Sequence, residues 1–364
     1  MNDITSESDL SLSMKPPRSP GQALLLNVLL LAAGALLFAW VIYRNWEKIL
    51  EVFQKPVRYQ YFAIGLAIYL VALLITFFRW HQLVRAQGLA FSYRDAVRLG
   101  FIGNIFNLVI PGAVGGDVIK AGFLCGMQPD RKPQAVASMV LDRILGLLGL
   151  ILLASLAGVF YFGTGDRQVR VLIGVVWGAL ACGLLGLTVI FSPSLYRPLN
   201  KLVSGRGKLE IAVRELEAIG LAYREKLGRV IAMLGVSTFV HGLYVVAFYC
   251  ASQAIFDKLP SLAEHFLMVP LALFTTAVPL PFGALGLSEG ISGQLFEMVD
   301  QHEGAIAMMA FRILMYGSGI VSACVYVANL RQVRTIADEA PMEIEMAIDQ
   351  TIIDTGLASK EIVS

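Results

Sequence analysis

The chain has 364 residues, 57% hydrophobic and only 15% charged, with a net charge of +2 and a mean hydropathy of +0.68. Soluble domains carry about 25% charged residues, so the composition excludes an ordinary soluble globule and indicates a polytopic, all-α membrane protein. The small net charge carries no signal for nucleic acid. The four cysteines, Cys125, Cys182, Cys250 and Cys324, lack CxxC spacing, so neither a zinc site nor a disulfide framework is implied.

Residues 1–20 are polar, with Ser and Pro, and read as a disordered tail. The apolar run that follows is too long for a signal peptide and lacks a small-residue cleavage site. A spanning helix needs about 20 mostly apolar residues. Six runs qualify: 24–43, 61–78, 135–160, 171–191, 230–255 and 305–330. Two further apolar regions, 97–126 and 266–299, are interrupted near their centres by Pro and Gly.

Lys and Arg mark cytoplasmic loops. Lys15 and Arg18 place the N-terminus inside, and Arg79, Arg85, Arg94 and Arg98 follow the second span. The most basic loop, 193–229, is expected inside as one or two amphipathic helices on anionic lipid; an ordinary solvated linker is the alternative. Arg331 and Arg334 return the C-terminus to the cytoplasm, followed by an acidic tail, 335–364. The segment 44–58 runs against this scheme, because it carries four Lys/Arg and two Glu yet must be outside. Six spans close this topology when both broken regions are re-entrant hairpins, the first from the cytoplasm and the second from outside. The alternative is eight crossings. The expected architecture is therefore one transmembrane domain over 21–334, with inverted repeat halves at about 24–160 and 171–330.

The two broken regions share a pattern. The first reads Asn107, Pro111, Gly112, Gly115, Gly116, Asp117, and the next apolar helix carries Asp142 and Arg143. The second reads Pro279, Pro281, Gly283, Gly286, Glu289, and the next apolar helix carries Arg312. The arginine surroundings match closely: Met139-Val-Leu-Asp-Arg143-Ile-Leu against Met309-Ala-Phe-Arg312-Ile-Leu. Proline breaks a helix by removing a donor, and glycine permits φ > 0 and close backbone approach. Each carboxylate then falls in a first helical turn, where the helix dipole favours it; the same free N–H groups can instead hold an anionic head group. Charge within a bilayer costs roughly 3 kcal/mol or more per residue, which marks these positions as candidate functional sites.

The expected pairs lie within each half: Asp117 with Arg143, and Glu289 with Arg312. Each pair is either a fixed helix-orienting bridge or a substrate site, in which Arg143 and Arg312 hold lipid phosphate and Asp117 and Glu289 hold a cationic head group or shuttle protons. Arg79 reads as snorkelling at a helix end, with phosphate contact as the alternative. Asn107 is read as a head-group contact and Asn104 as a helix cross-link. His241, alone within a span, is either a proton carrier or an interhelical hydrogen bond. No nucleophile elbow, P-loop or HExxH motif is present, no metal or cofactor is expected, and ATP-driven transport by this chain is not expected.

With these residues in place, the chain resembles the lysylphosphatidylglycerol synthase transmembrane family. That is the flippase-like domain found at the N-terminus of the multiple peptide resistance factor. The resemblance covers roughly residues 25–330. It implies movement of a phospholipid, such as aminoacylated phosphatidylglycerol, or another lipid-linked substrate between the leaflets of a bacterial inner membrane. Two departures qualify it. Only about 30 residues follow the last span, too few for a synthase domain, so lipid synthesis is not expected. In addition, Ala284 stands where many relatives would have another glycine. Implied partners are membrane lipids, a lipid synthase and a second copy of the chain. The alternatives are a membrane enzyme using Asp117 or Glu289 as general base, and a scaffold that recruits a synthase.

Overall fold

A computed structural model describes residues 36, 38–54, 56–109, 115–163, 166–192, 208–277 and 284–329. The expected tails, most of the run 24–43, and the hairpin-tip residues Pro111, Pro281 and Gly283 lie outside the described residues. Every regular element among the described residues is helical. We number them α1 (Trp46–Gln54), α2 (Tyr59–Ala86), α3 (Tyr93–Val109), α4 (Gly115–Met127), α5 (Lys132–Tyr161), α6 (Arg167–Phe191), α7 (Lys208–Tyr223), α8 (Leu227–Ile255), α9 (Leu262–Phe274), α10 (Leu287–Glu297) and α11 (Gly304–Ala328).

Five segments are long and apolar enough to cross a membrane: Tyr59–Ala86, Pro129–Tyr161, Arg167–Phe191, Leu216–Ile255 and Gly304–Ala328. They carry five of the six expected spans, and the fold is an all-α polytopic bundle. Large apolar side chains point outward from them, among them Val175 and Leu185 on α6, Phe239 on α8 and Ile320 on α11. That is the distribution expected of faces turned to lipid, where hydrocarbon rather than water is the solvent.

The two broken regions become helix pairs. Helices α3, α4, α9 and α10 have 17, 13, 13 and 11 residues. At 1.5 Å per residue they are about 26, 20, 20 and 17 Å long, each short of the roughly 30 Å hydrocarbon core. α3 packs on α4, and α9 on α10. Local capping sets their starts. Ser92 Oγ accepts from the Asp95 N–H at 3.1 Å before α3. At α9 a capping box joins Ser261 and Glu264, satisfying two donors that a helix N-terminus leaves open.

α2 and α8 form the central contact, and Gly65 brings them close: a Cβ there would press on the Ala247 carbonyl and Cys250. Small residues at such crossings let backbones pack where no hydrophobic gain over lipid exists. α2 also packs on α3, α5 and α11; α8 packs on α9, α11 and α5. α4 lies on α5, and α10 lies on α11; α3 lies on α11, and α9 lies on α5. Exchanging α2, α3, α4 and α5 for α8, α9, α10 and α11 therefore leaves these packing partners unchanged. Tyr69, Phe248 and Phe311 fill the centre, with ring centroids 5.5–5.7 Å apart along the chain of contacts.

Within the loop 193–229 the expected amphipathic helix is present as α7. It is docked onto α5 and α6, not lying free: Ile219 and Tyr223 are buried, and the Tyr223 hydroxyl donates to the Leu83 carbonyl at 2.9 Å.

Candidate functional site

In the first hairpin, α4 begins at Gly115 and crosses α3 at contact distance. A Cβ on Gly116 would land on the Gly103 carbonyl oxygen, so only glycine fits there. The Gly116 N–H donates to Asn107 Oδ1 at 2.9 Å. Asn107 thus fastens the hairpin and satisfies a helix N-terminal donor, where the sequence suggested a head-group contact. Asp117, in the first turn of α4, is held from two sides. Lys120 Nζ lies 2.7 Å from Oδ1, and Arg143 Nε on α5 donates to Oδ2. Lys120 Nζ also sits 5.2 Å from the centroid of the Trp80 ring, a cation–π arrangement. The Asp117 and Lys120 side chains are 14% exposed and that of Arg143 is 39% exposed.

The second hairpin builds a sealed version. Gly286 starts α10 with φ +84°, a left-handed conformation natural to glycine. Its N–H donates to Glu289 Oε2 at 2.7 Å. Arg312 Nε on α11 donates to Glu289 Oε1, and Arg312 Nη2 donates to Ser288 Oγ at 2.6 Å. The side chains are 0% and 3% exposed. Ala284, the departure noted above, is fully buried at φ +55°, a conformation that disfavours a residue with a Cβ.

Arg79 does not snorkel. α2 continues two turns past the expected end at residue 78, to Ala86, so Arg79 lies inside the bundle at 5% exposure. Its Nε donates to Asp142 Oδ1 at 2.8 Å, its Nη2 to Asp142 Oδ2 at 3.0 Å, and its Nη1 to Ser237 Oγ at 2.7 Å. Gly149 leaves room for Ser237. One turn along α8, His241 Nε2 lies 2.9 Å from the Gly146 carbonyl, which requires the Nε2–H tautomer as donor. This latch joins α2, α5 and α8. It occupies Arg79 and so argues against the phosphate role considered for it.

Asn104 on α3 donates to Ser322 Oγ at 3.0 Å and Ser318 Oγ at 3.3 Å on α11, a cross-link between the halves of the chain. A cavity of about 560 Å³ lies between α5 and α9, lined by apolar residues such as Leu153, Phe160 and Phe266, and includes none of these charged groups. Among the described residues no group of three or more His, Cys, Asp and Glu side chains is placed to hold a metal ion. Sequence reasoning missed Lys120. The signal was available in its i,i+3 spacing from Asp117. Trp80, Ser237 and Ser288 carried no comparable signal.

Comparison with known proteins agrees with this architecture. The family described as "Lysylphosphatidylglycerol synthase TM region" matches residues 24–323. The UPF0104 membrane protein PH1989 of Pyrococcus horikoshii is 24% identical over 135 residues, covering 36% of this chain and 40% of the relative. No solved structure matches. With most of its length matched, and with a carboxylate–arginine pair at the first turn of the second helix in each short-helix pair, the chain belongs to the lysylphosphatidylglycerol synthase TM-region family.

Proposed function

We propose that this protein moves a phospholipid or another lipid-linked substrate between the leaflets of a bacterial cytoplasmic membrane, as a transporter and not an enzyme. The observation that carries the reading is the Asp117–Lys120–Arg143 cluster. It places two cations on one carboxylate at the start of a helix too short to span, with the Arg143 side chain 39% exposed. Lipid phosphate is the natural partner of such a guanidinium.

The interchangeable packing of α2–α5 and α8–α11 supports an inverted repeat with re-entrant hairpins, the arrangement through which many transporters alternate access by rocking one repeat against the other. In this reading both termini are cytoplasmic. The Glu289–Arg312 pair is the counterpart site, held closed in the conformation described. Membrane lipids are the partners, and aminoacylated phosphatidylglycerol is one head group within the class.

The test is reconstitution into liposomes carrying tail-labelled fluorescent phospholipids, with a membrane-impermeant quencher reporting leaflet exposure. The protein is expected to expose inner-leaflet label, and Arg143→Ala to abolish this. Absence of translocation for every phospholipid tried would refute the reading. Unchanged translocation by Arg143→Ala would refute the residue assignment.

A further inference from the structure

We infer that the apolar cavity between α5 and α9 is the seat of one lipid acyl chain, inserted from the bilayer between the two halves of the bundle. The inference goes beyond the transport reading and holds whether or not the protein moves lipid.

The α5 wall of the cavity is one stripe of the helix. Leu153, Leu156, Ala157, Phe160 and Tyr161 recur at i, i+3, i+4, i+7 and i+8, the spacing of a single helix face. Ala263 and Phe266 of α9, three apart, form the opposite wall. At 1.5 Å per residue the stripe is about 12 Å long. That is most of the roughly 15 Å that one leaflet contributes to the hydrocarbon core. The stripe ends with α5 itself, at Tyr161, an aromatic residue of the kind that marks a membrane interface. Leu156 and Phe160 are exposed, whereas Leu153, farthest from the helix end, is buried.

Volume selects the occupant. Apolar walls offer water no partners, so such a cavity takes up apolar groups instead. The cavity measures about 560 Å³. At roughly 30 Å³ per water-sized group, that is room for about 19 methylene-sized groups, one long acyl chain and not two. A helix about 10 Å across displaces roughly 400 Å³ in each 5.4 Å turn. The cavity would therefore take little more than one turn of another span.

The related interface in the other half is closely packed. There α3 meets α11, with Asn104 bonded to Ser318 and Ser322 and Leu108 Cδ1 2.9 Å from where a Cβ on Gly319 would stand. The opening between α5 and α9 is a feature of its own side chains and not of the helix packing that both halves share.

The experiment reconstitutes the full chain into dioleoyl-phosphatidylcholine liposomes with a trace of the same lipid bearing a diazirine midway along one acyl chain. After photolysis, peptide mass spectrometry locates the adducts. Val175 on α6 samples bulk lipid; it is 64% exposed against 9% for Leu153, so exposure alone puts labelling of Leu153 about sevenfold below that of Val175. A seated chain is expected to bring Leu153 to the level of Val175 or above. Ala263→Trp, at an exposed position on the α9 wall, is expected to fill the cavity. It should return Leu153 to the sevenfold deficit and leave Val175 unchanged.

The sevenfold deficit in the unmodified protein overturns the inference without recourse to any variant. Adducts confined to Leu156 and Phe160 would mean that another part of the chain fills the cavity, and overturn it too. Unchanged labelling of Leu153 in folded Ala263→Trp does the same. A protein that shows the adduct but translocates nothing refutes the transport reading alone.

Discussion

Changing Asp142 to Asn leaves the volume of the latch intact and removes its negative charge. Arg79 is 5% exposed and directs three hydrogen bonds to Asp142, through Nε to Oδ1 and through Nη2 to Oδ2 and the main-chain carbonyl. An amide can accept at one oxygen only and presents its NH₂ to the guanidinium, so one bond is lost and one contact becomes repulsive. Breaking a buried ion pair from one side costs about 3–5 kcal/mol, because the remaining charge is left without compensation. At about 2–4 °C per kcal/mol for a chain of this order of size, the midpoint of thermal unfolding in detergent should fall by roughly 10 °C. Removing both charges, as Arg79→Met with Asp142→Leu, should recover much of that loss, since apolar replacement of a buried pair is often neutral. Ser237→Ala should cost less, about 1.5–3 kcal/mol for a hydrogen bond to a charged group. If Asp142→Asn unfolds within 2 °C of the unmodified protein, the latch does not carry the stability assigned here.

Three further outcomes follow from the same geometry. Gly116→Ala drives a methyl into the Gly103 carbonyl and should destabilise by about 1–3 kcal/mol, the usual cost of overpacking, read as a lower unfolding midpoint; an unchanged midpoint would mean α3 and α4 are not in contact there. Ala284→Gly relieves a positive φ at the loss of one buried methyl, opposing effects of about 1 kcal/mol each, so the midpoint should barely move, whereas Ala284→Val should lower it clearly. Arg312→Ala, which strands a fully buried Glu289, should cost about 3–5 kcal/mol. Arg143→Ala, at a side chain 39% exposed, should cost about 1 kcal/mol or less, so a comparison of the two midpoints measures how differently the two hairpins enclose their pairs.

Much of this was legible from residue order. Span positions follow from apolar runs, and the hairpins follow from Pro and Gly within them. The assignment of Asp142 and Arg143 to different partners follows from the 100° between neighbours on a helix. Asp142 meets Arg79 while Arg143 meets Asp117. Arg79 was not legible. A polar run, Arg79-Trp-His-Gln, reads as a helix leaving the membrane. What keeps it inside is a carboxylate 63 positions away and a serine 158 positions away, a pairing that no local pattern encodes. The bond of Asn107 to the Gly116 N–H was not legible for a related reason: it depends on the fold-back itself.

α5 joins these observations mechanically. Consecutive residues of one helix hold the latch and the hairpin site, Asp142 meeting Arg79 of α2 and Arg143 meeting Asp117 of α4. Rotation of α5 that frees Arg143 from Asp117 must also strain the Arg79–Asp142 bonds, because both are fixed to adjacent positions on a rigid helix. α11 has the corresponding arginine but Phe311 in the place of Asp142, packed in the apolar core against Phe248 and Tyr69. Under the proposed repeat, one half therefore carries a polar latch beside a carboxylate–arginine pair that is partly exposed, and the other an apolar anchor beside one that is buried.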